Sequence, residues 1–157
     1  MVRQARMKRA SRAVYVDEAF CGQGVFARRS FRAGEMIAQV DGRVITDPDY
    51  WSAYCIDLGD GVVLEPAAPF RFLNHSCGPN SELVDYTRWC EKAGQWRHVM
   101  RLRALTAIDA GQEITIDYAW SACSAIRCMC GSENCRGWVV NPDEIHEIDR
   151  MAGADPQ

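Results

Sequence analysis

The chain has 157 residues, 48% of them hydrophobic and 25% charged, enough for one globular domain that buries roughly two-thirds of its unfolded surface. Its apolar runs, such as Gly61-Val62-Val63-Leu64, fall far short of the roughly 20 residues of a membrane helix, and no apolar signal core follows the basic N-terminus. A soluble intracellular protein with no membrane partner is expected, cytoplasmic in a bacterium and cytoplasmic or nuclear otherwise. Charge is uneven: Arg3, Arg6, Lys8, Arg9 and Arg12 share residues 1–12 with no acid, and the remaining 13 basic against 21 acidic residues leave the body at -8. Such a body suits cationic partners, and nucleic acid is expected at most weakly, through the basic arm.

In chain order, short strands are predicted at residues 13–16, 24–27, 36–40, 62–65, 81–84, 98–104 and 113–116, between Gly, Pro, Asn and Asp punctuation. The fifth alternates irregularly, as a strand with one solvated face does. A helix is predicted to start near Asp47-Pro48, with Asp capping and Pro in the first helical position, and a second to span 142–150. Many short strands and few helices make the fold mainly β, a β-rich α+β class, and argue against a doubly wound nucleotide fold. Gly22-Gln23-Gly24 is either a tight turn or a place where backbone approaches a ligand; the third glycine of a dinucleotide fingerprint is missing.

Three stretches carry chemistry. Residues 71–80, Arg-Phe-Leu-Asn-His-Ser-Cys-Gly-Pro-Asn, crowd polar side chains into a turn-prone segment. Left unsatisfied, each buried group would cost about 1 to 3 kcal/mol, so a structural network or a polar ligand must engage them. Residues 128–135 form Cys-x-Cys-x4-Cys in a loop too short to own a core. With no secretion signal, metal is the better reading of these thiols than disulfides. Structural zinc wants four ligands, of which this loop supplies Cys128, Cys130 and Cys135, and Cys77, Cys123 or a histidine are candidates for the fourth. Residues 111–118 read as a turn, a strand and then Asp117-Tyr118, where a tyrosine is ordinarily a half-buried packing residue.

The order Gly22-Gln23-Gly24, the Asn74-His75-Ser76-Cys77-Gly78-Pro79-Asn80 element, Gly111-Gln112-Glu113-Ile114-Thr115-Ile116-Asp117-Tyr118 and the Cys128–Cys135 motif resembles the SET-domain protein lysine methyltransferases over roughly residues 13–140. The resemblance implies a SET fold of short curved sheets, with a pseudoknot-like threaded C-terminal segment and a small zinc-bound post-SET lobe. It divides the chain into a flexible basic arm (1–12), a catalytic domain (13–119), a zinc lobe (120–140) and a helix with tail (141–157). It implies S-adenosylmethionine as methyl donor, held by Gly22, Gln23, Gly24, Val25, Asn74, His75 and Trp138, and catalysis by Tyr118 with Tyr54 facing the transferred methyl. Structural zinc would be bound by Cys77, Cys128, Cys130 and Cys135. Ile116 and Trp120, standing where relatives differ, would line the substrate channel, and the absence of a hydroxyl at 116 points to more than one methyl added. Arg71 is read as structural. The substrate implied is a protein or peptide with lysine in a basic context; the alternative is a catalytically silent module that binds a basic peptide. Ala5-Arg6-Met7-Lys8-Arg9-Ala10-Ser11 resembles histone-tail contexts, which makes Lys8 a candidate automethylation site.

Overall fold

The structure is a computed structural model that describes residues 12–152; the Lys8 site and most of the basic arm lie outside the described residues. The chain folds into small sheets. β1 (Val14–Ala19) and β2 (Gly22–Ala27) form a hairpin closed by Phe20 and Cys21, with Gly22 at φ +86° turning the chain back, a conformation glycine adopts without a Cβ clash. β2 pairs on its other edge with β10 (Glu113–Ile116), which runs parallel to β7 (Asn74–His75). A second sheet has β9 (Gln95–Ala104) between β3 (Met36–Gln39) and β8 (Ser81–Cys90), and a third has β6 (Val63–Pro66) between β4 (Gly42–Ile45) and β5 (Ile56–Asp57). β11 (Ile126–Arg127) pairs with β12 (Trp138–Val139), and α1 (Ile145–Ala152) follows a 3-10 turn at Pro142–Glu144.

The core lies where the first three sheets meet. Val14, Val25, Phe31, Leu102, Ile108 and Ile114 are all at most 2% exposed, and burying an aliphatic or Phe side chain of this size stabilises the fold by about 1.5 to 3 kcal/mol. All seven expected strands form. β8 and β9 run well past the predicted limits, because each supplies the other's hydrogen bonds out to Cys90 and Gln95. The solvated-face expectation for β8 holds only in part: its outer half is exposed on both faces. β4 was not predicted; its Gly42 lies where a Cβ would run into the Glu65 carbonyl, so close pairing with β6 selects glycine there.

The helix expected at Asp47-Pro48 does not form. Asp47 Oδ1 accepts the Asp49 N–H at 3.1 Å, Tyr50 N–H closes one turn on Asp47 O, and Ser52 then captures the N–H groups of Tyr54 and Cys55 in a second, separate turn. Side-chain acceptors that capture local N–H groups compete with a continuing helix. The C-terminal helix does form, with Asn141 capping through Asp143 N–H at 3.0 Å and Pro142 at its start. No helix of the described residues is long and apolar enough to cross a membrane.

Residues 74–81 are laced to β10. Ser76 N–H donates to Ile116 O, Asn80 Nδ2 donates to Glu113 O at 2.8 Å, Asn80 Oδ1 accepts Thr115 N–H at 2.9 Å, and Ser81 Oγ donates to Thr115 O at 2.8 Å. The polar crowding in this segment is therefore partly a structural network, and Asn80 and Ser81 are consumed by it.

Candidate active site and metal cluster

A cleft of about 270 Å³ opens between the Cys21–Gln23 turn and residues 71–74, with Tyr54 and Tyr118 on its walls. Gly22 has nothing within 4 Å of where a Cβ would stand, so its backbone faces open space. Gly24 has the opposite reason to be glycine: a Cβ would come within 2.5 Å of Glu113 Oε1, 2.8 Å of Ala19 Cβ and 3.2 Å of Asn74 Nδ2. That close approach lets Asn74 Nδ2 donate both to Gln23 O at 3.1 Å and to Glu113 Oε1 at 2.8 Å. Both partners are acceptors, which fixes the amide orientation and leaves Oδ1 as an acceptor for a ligand.

Tyr118 donates its hydroxyl to Leu73 O at 2.6 Å, and its ring lies 5.4 Å from both His75 and Trp120. Burial pushes its pKa up to about 12, with Cys21, Tyr54 and Glu113 adding to the rise. The group is thus a neutral hydroxyl whose oxygen keeps acceptor capacity after donating to Leu73. Tyr54 is 44% exposed and carries the Arg71 guanidinium 4.5 Å above its ring, a cation–π contact that orients both.

Other expected contacts stand elsewhere. The Val25 side chain is wholly buried in the core, so only its backbone can serve a ligand. Ile116 is 6% exposed in that same core, and Trp120, half-buried against Tyr118, is the one of the two expected channel residues whose ring reaches the tyrosine. The Trp138 ring lies under the Arg127 guanidinium at 4.0 Å and packs on the C-terminal cluster.

The His75 ring turns away from the cleft. Nδ1 accepts the Tyr118 N–H at 3.2 Å, and Nε2 lies 3.3 Å from Cys77 Sγ. Burial lowers its pKa against the opposing pull of Asp117, so it is neutral. A neutral imidazole that accepts at Nδ1 carries its proton on Nε2, and His75 therefore donates to the Cys77 sulfur.

Ligand atoms of His75, Cys77, Cys128 and Cys130 all lie within 4.8 Å of one another. Cys77 Sγ is 3.7 Å from Cys128 Sγ, close to the edge of about 3.8 Å that a tetrahedron with 2.3 Å zinc–sulfur bonds requires. Cys135 stands beside Cys128 and Cys130, close enough to perturb both thiols, and its sulfur accepts the Gly137 N–H at 3.4 Å. Cys77 N–H points at Cys130 Sγ at 3.4 Å. At Cys130 burial raises the pKa, but the N–H groups of Cys77 and Ser132 and the neighbouring thiols outweigh it and bring it down to about 6, while burial drives Cys128 up. Three sulfurs and one imidazole nitrogen within 4.8 Å of one another, with Cys135 beside them, are a donor set that fits zinc. Cys123 is exposed and bonded to the hydroxyls of Ser121 and Ser124, away from the cluster. Gly78 admits the loop: a Cβ there would meet Ser132 Oγ at 2.6 Å.

Sequence reasoning did not single out Glu113 or Arg136 as site residues. Arg136 Nη2 bonds Asp117 Oδ1 at 2.8 Å and Val140 O at 3.0 Å, which ties the C-terminal lobe to the residue before Tyr118. The only available signal was an arginine directly after the last cysteine.

The SET domain model matches residues 22–119. The chain belongs to the SET-domain family. This SET protein is 31% identical over 140 residues to the histone-lysine N-methyltransferase ASHR3 of Arabidopsis thaliana, covering 79% of the chain and 27% of the relative. It is also 31% identical to human histone-lysine N-methyltransferase 2B over 77% of the chain and 5% of the relative. It therefore spans about a quarter or less of the length of these relatives. Among solved structures, KRYPTONITE in complex with mCHG DNA and SAH superposes with a TM-score of 0.65 at 23% identity, over 80% of this chain and 28% of that one. The Plasmodium falciparum protein PFL0690c does so with a TM-score of 0.57 at 23% identity, over 69% and 95%. These likenesses show that the fold of small sheets is the SET fold.

Proposed function

We propose that the chain is an S-adenosylmethionine-dependent protein-lysine methyltransferase. One observation carries this reading: Tyr54 and Tyr118 wall a single cleft whose floor presents the Gly22 backbone and Asn74. When bound, S-adenosylmethionine supplies a methyl group activated on a sulfonium. Gly22, Gln23 and Asn74 would hold it, Asn74 through the free Oδ1, a suitable acceptor for an ammonium. His75 serves the site indirectly, by bracing Tyr118 N–H and the Cys77 sulfur.

A lysine must enter the cleft neutral, although it normally titrates near 10.4. Desolvation and the Arg71 guanidinium at the cleft wall both disfavour its charged form. The Tyr118 oxygen, held by its bond to Leu73, accepts from the amine and orients its lone pair; such alignment is the main requirement of an in-line displacement. Tyr54 bounds the other side. The acidic body suits a lysine in a basic context, and a solved relative, KRYPTONITE, is bound to SAH and an H3(1-15) peptide. A nuclear or cytoplasmic location follows from such a substrate.

Zinc held by Cys77, Cys128, Cys130 and Cys135 would fix residues 120–140 against the catalytic domain of 13–119, with the His75 Nε2–H as an outer donor to Cys77, the kind of support that orients metal ligands. It does no chemistry. The test is transfer of a labelled methyl to lysine-bearing tail peptides and host proteins. Tyr118→Phe should lower kcat about 100-fold, the scale of one positioned proton-bearing group, while SAH affinity changes less than about threefold. Near-wild-type turnover by the variant removes Tyr118 from the mechanism, and no transfer by the zinc-loaded wild type to any lysine removes the activity.

A further inference from the structure

The outer half of the β8–β9 ribbon takes no part in the cleft or the cysteine cluster. β3 pairs with β9 only at residues 101–103, and residues 85–89 and 91–98 are exposed. The two faces of this ribbon differ. One carries Trp89 directly opposite Trp96, edge to face at 5.7 Å, and His98 Nδ1 against Asp85 Oδ2 at 2.7 Å. These cross-strand pairs brace a ribbon that has no core beneath it.

The other face carries Tyr86, Arg88, Arg97 and Arg101. Arg88 stands directly opposite Arg97, and the Arg101 guanidinium lies 5.5 Å from the Tyr86 ring. Among the described residues no carboxylate pairs with any of the three arginines. Two acids of the ribbon are engaged, Glu82 holding Arg103 at 2.6 Å and Asp85 holding His98 on the opposite face, while Glu91 lies in the turn beyond Cys90. Like charges set directly opposite one another destabilise a strand pair, so folding does not account for Arg88 facing Arg97. An anion lying between them would offset that repulsion.

We propose that this arginine face docks on the phosphate backbone of double-stranded DNA, with the ribbon entering the major groove. Two strands about 4.8 Å apart with their side chains fit a groove about 12 Å wide. Arg97 and Arg101, four residues apart, stand about 13 Å apart along the strand, so their guanidiniums meet separate phosphates. The deep, narrow major groove of duplex RNA excludes a ribbon. Outside residues 1–12 and 85–101 the chain holds 9 basic against 19 acidic residues, and that field turns the polyanion away from the rest of the body and towards the ribbon. DNA contact thus extends beyond the basic arm to which the sequence confined it. This inference does not depend on methyl transfer.

The test is an anisotropy titration of a labelled DNA duplex of about 20 base pairs with the full chain, between about 50 and 200 mM salt. Arg88→Gln with Arg97→Gln should reduce the slope of log affinity against log salt by about 1.8, because each phosphate left without its arginine takes about 0.9 from that slope, while Tm stays equal or rises because the facing charges are gone. A control of matched charge, Arg32→Gln with Arg43→Gln, should keep the wild-type slope. The proposal is overturned if the ribbon variant binds like wild type, if the matched control loses as much, or if duplex RNA or a polyglutamate peptide binds as tightly as the DNA.

Discussion

The body and the C-terminal lobe of this SET protein are stabilised by different means. In the body, fifteen buried apolar residues from Val14 to Ile116 form one cluster drawn from three sheets. After Tyr118 the buried apolar set shrinks to Ala122, Val139, Val140 and Ile148, and the loop of residues 128–135 contributes thiols in place of hydrocarbon. A set of four cannot offset the conformational entropy of ordering some thirty residues at about 1 kcal/mol or more each. The body folds by excluding water; the lobe has in place of such a core the thiol cluster and the Arg136–Asp117 pair, whose side chains are 16% and 22% exposed. Tyr118 sits at the junction, hydrogen-bonded to Leu73 of the body and stacked near Trp120 of the lobe.

Metal removal breaks this comparison most sharply. A structural zinc contributes about 10 kcal/mol or more to folding its own loop, so chelation, or Cys77→Ser, should abolish methyl transfer and expose Trp138 while the strand signal in circular dichroism persists. Cys123→Ser should leave zinc content and activity unchanged, as measured by metal analysis of the purified variant. If Cys123→Ser instead loses the metal and Cys77→Ser retains it, zinc does not join the lobe to the body.

A hydrocarbon deletion should act on the other region. Ile114→Ala, at a position 0% exposed, is expected to destabilise the whole body by about 2 to 5 kcal/mol, visible as a lowered midpoint in denaturant. Ile148→Ala, at 9% exposure in the small cluster, should cost about 2 kcal/mol or less, because a thin cluster collapses more readily around the gap. It should lower protection of the lobe in hydrogen exchange without moving the body's midpoint.

The smallest effect expected concerns pH. The Tyr118 pKa is raised to about 12 by burial, against an ordinary value near 10. The folded state holds that proton more tightly, so the associated stability is fully present below pH 10 and is lost only as pH rises through about 12. Activity should therefore rise with pH as lysine deprotonates, with no falling limb from Tyr118 up to about pH 10. An absorbance titration showing tyrosinate at Tyr118 below pH 10, absent in Tyr118→Phe, would contradict this.

The local signals in the chain were enough to place the seven main strands, the helix starting at Pro142 and the cysteine motif, because each depends on residues a few positions apart: turn formers, a helix-starting proline, or thiols in one loop. The order of the motifs was enough to indicate the family. Tertiary structure decided the rest. Asp47-Pro48 carries a sound helix-start signal, yet Asp47 and Ser52 close separate turns there. Ile116 and Val25 face the core because β10 pairs between β2 and β7, a register that no local pattern specifies. His75 turns towards Cys77, and Asp117 receives Arg136, only once the chain has brought position 136 back to the end of β10. The facing arginines of β8 and β9 belong to the same class: Arg88 and Arg97 are nine residues apart in the chain, and only the hairpin register sets one charge against the other. Local structure is encoded within a turn or two, whereas the direction a side chain faces depends on partners supplied by distant segments, and those are chosen by packing the whole chain at once.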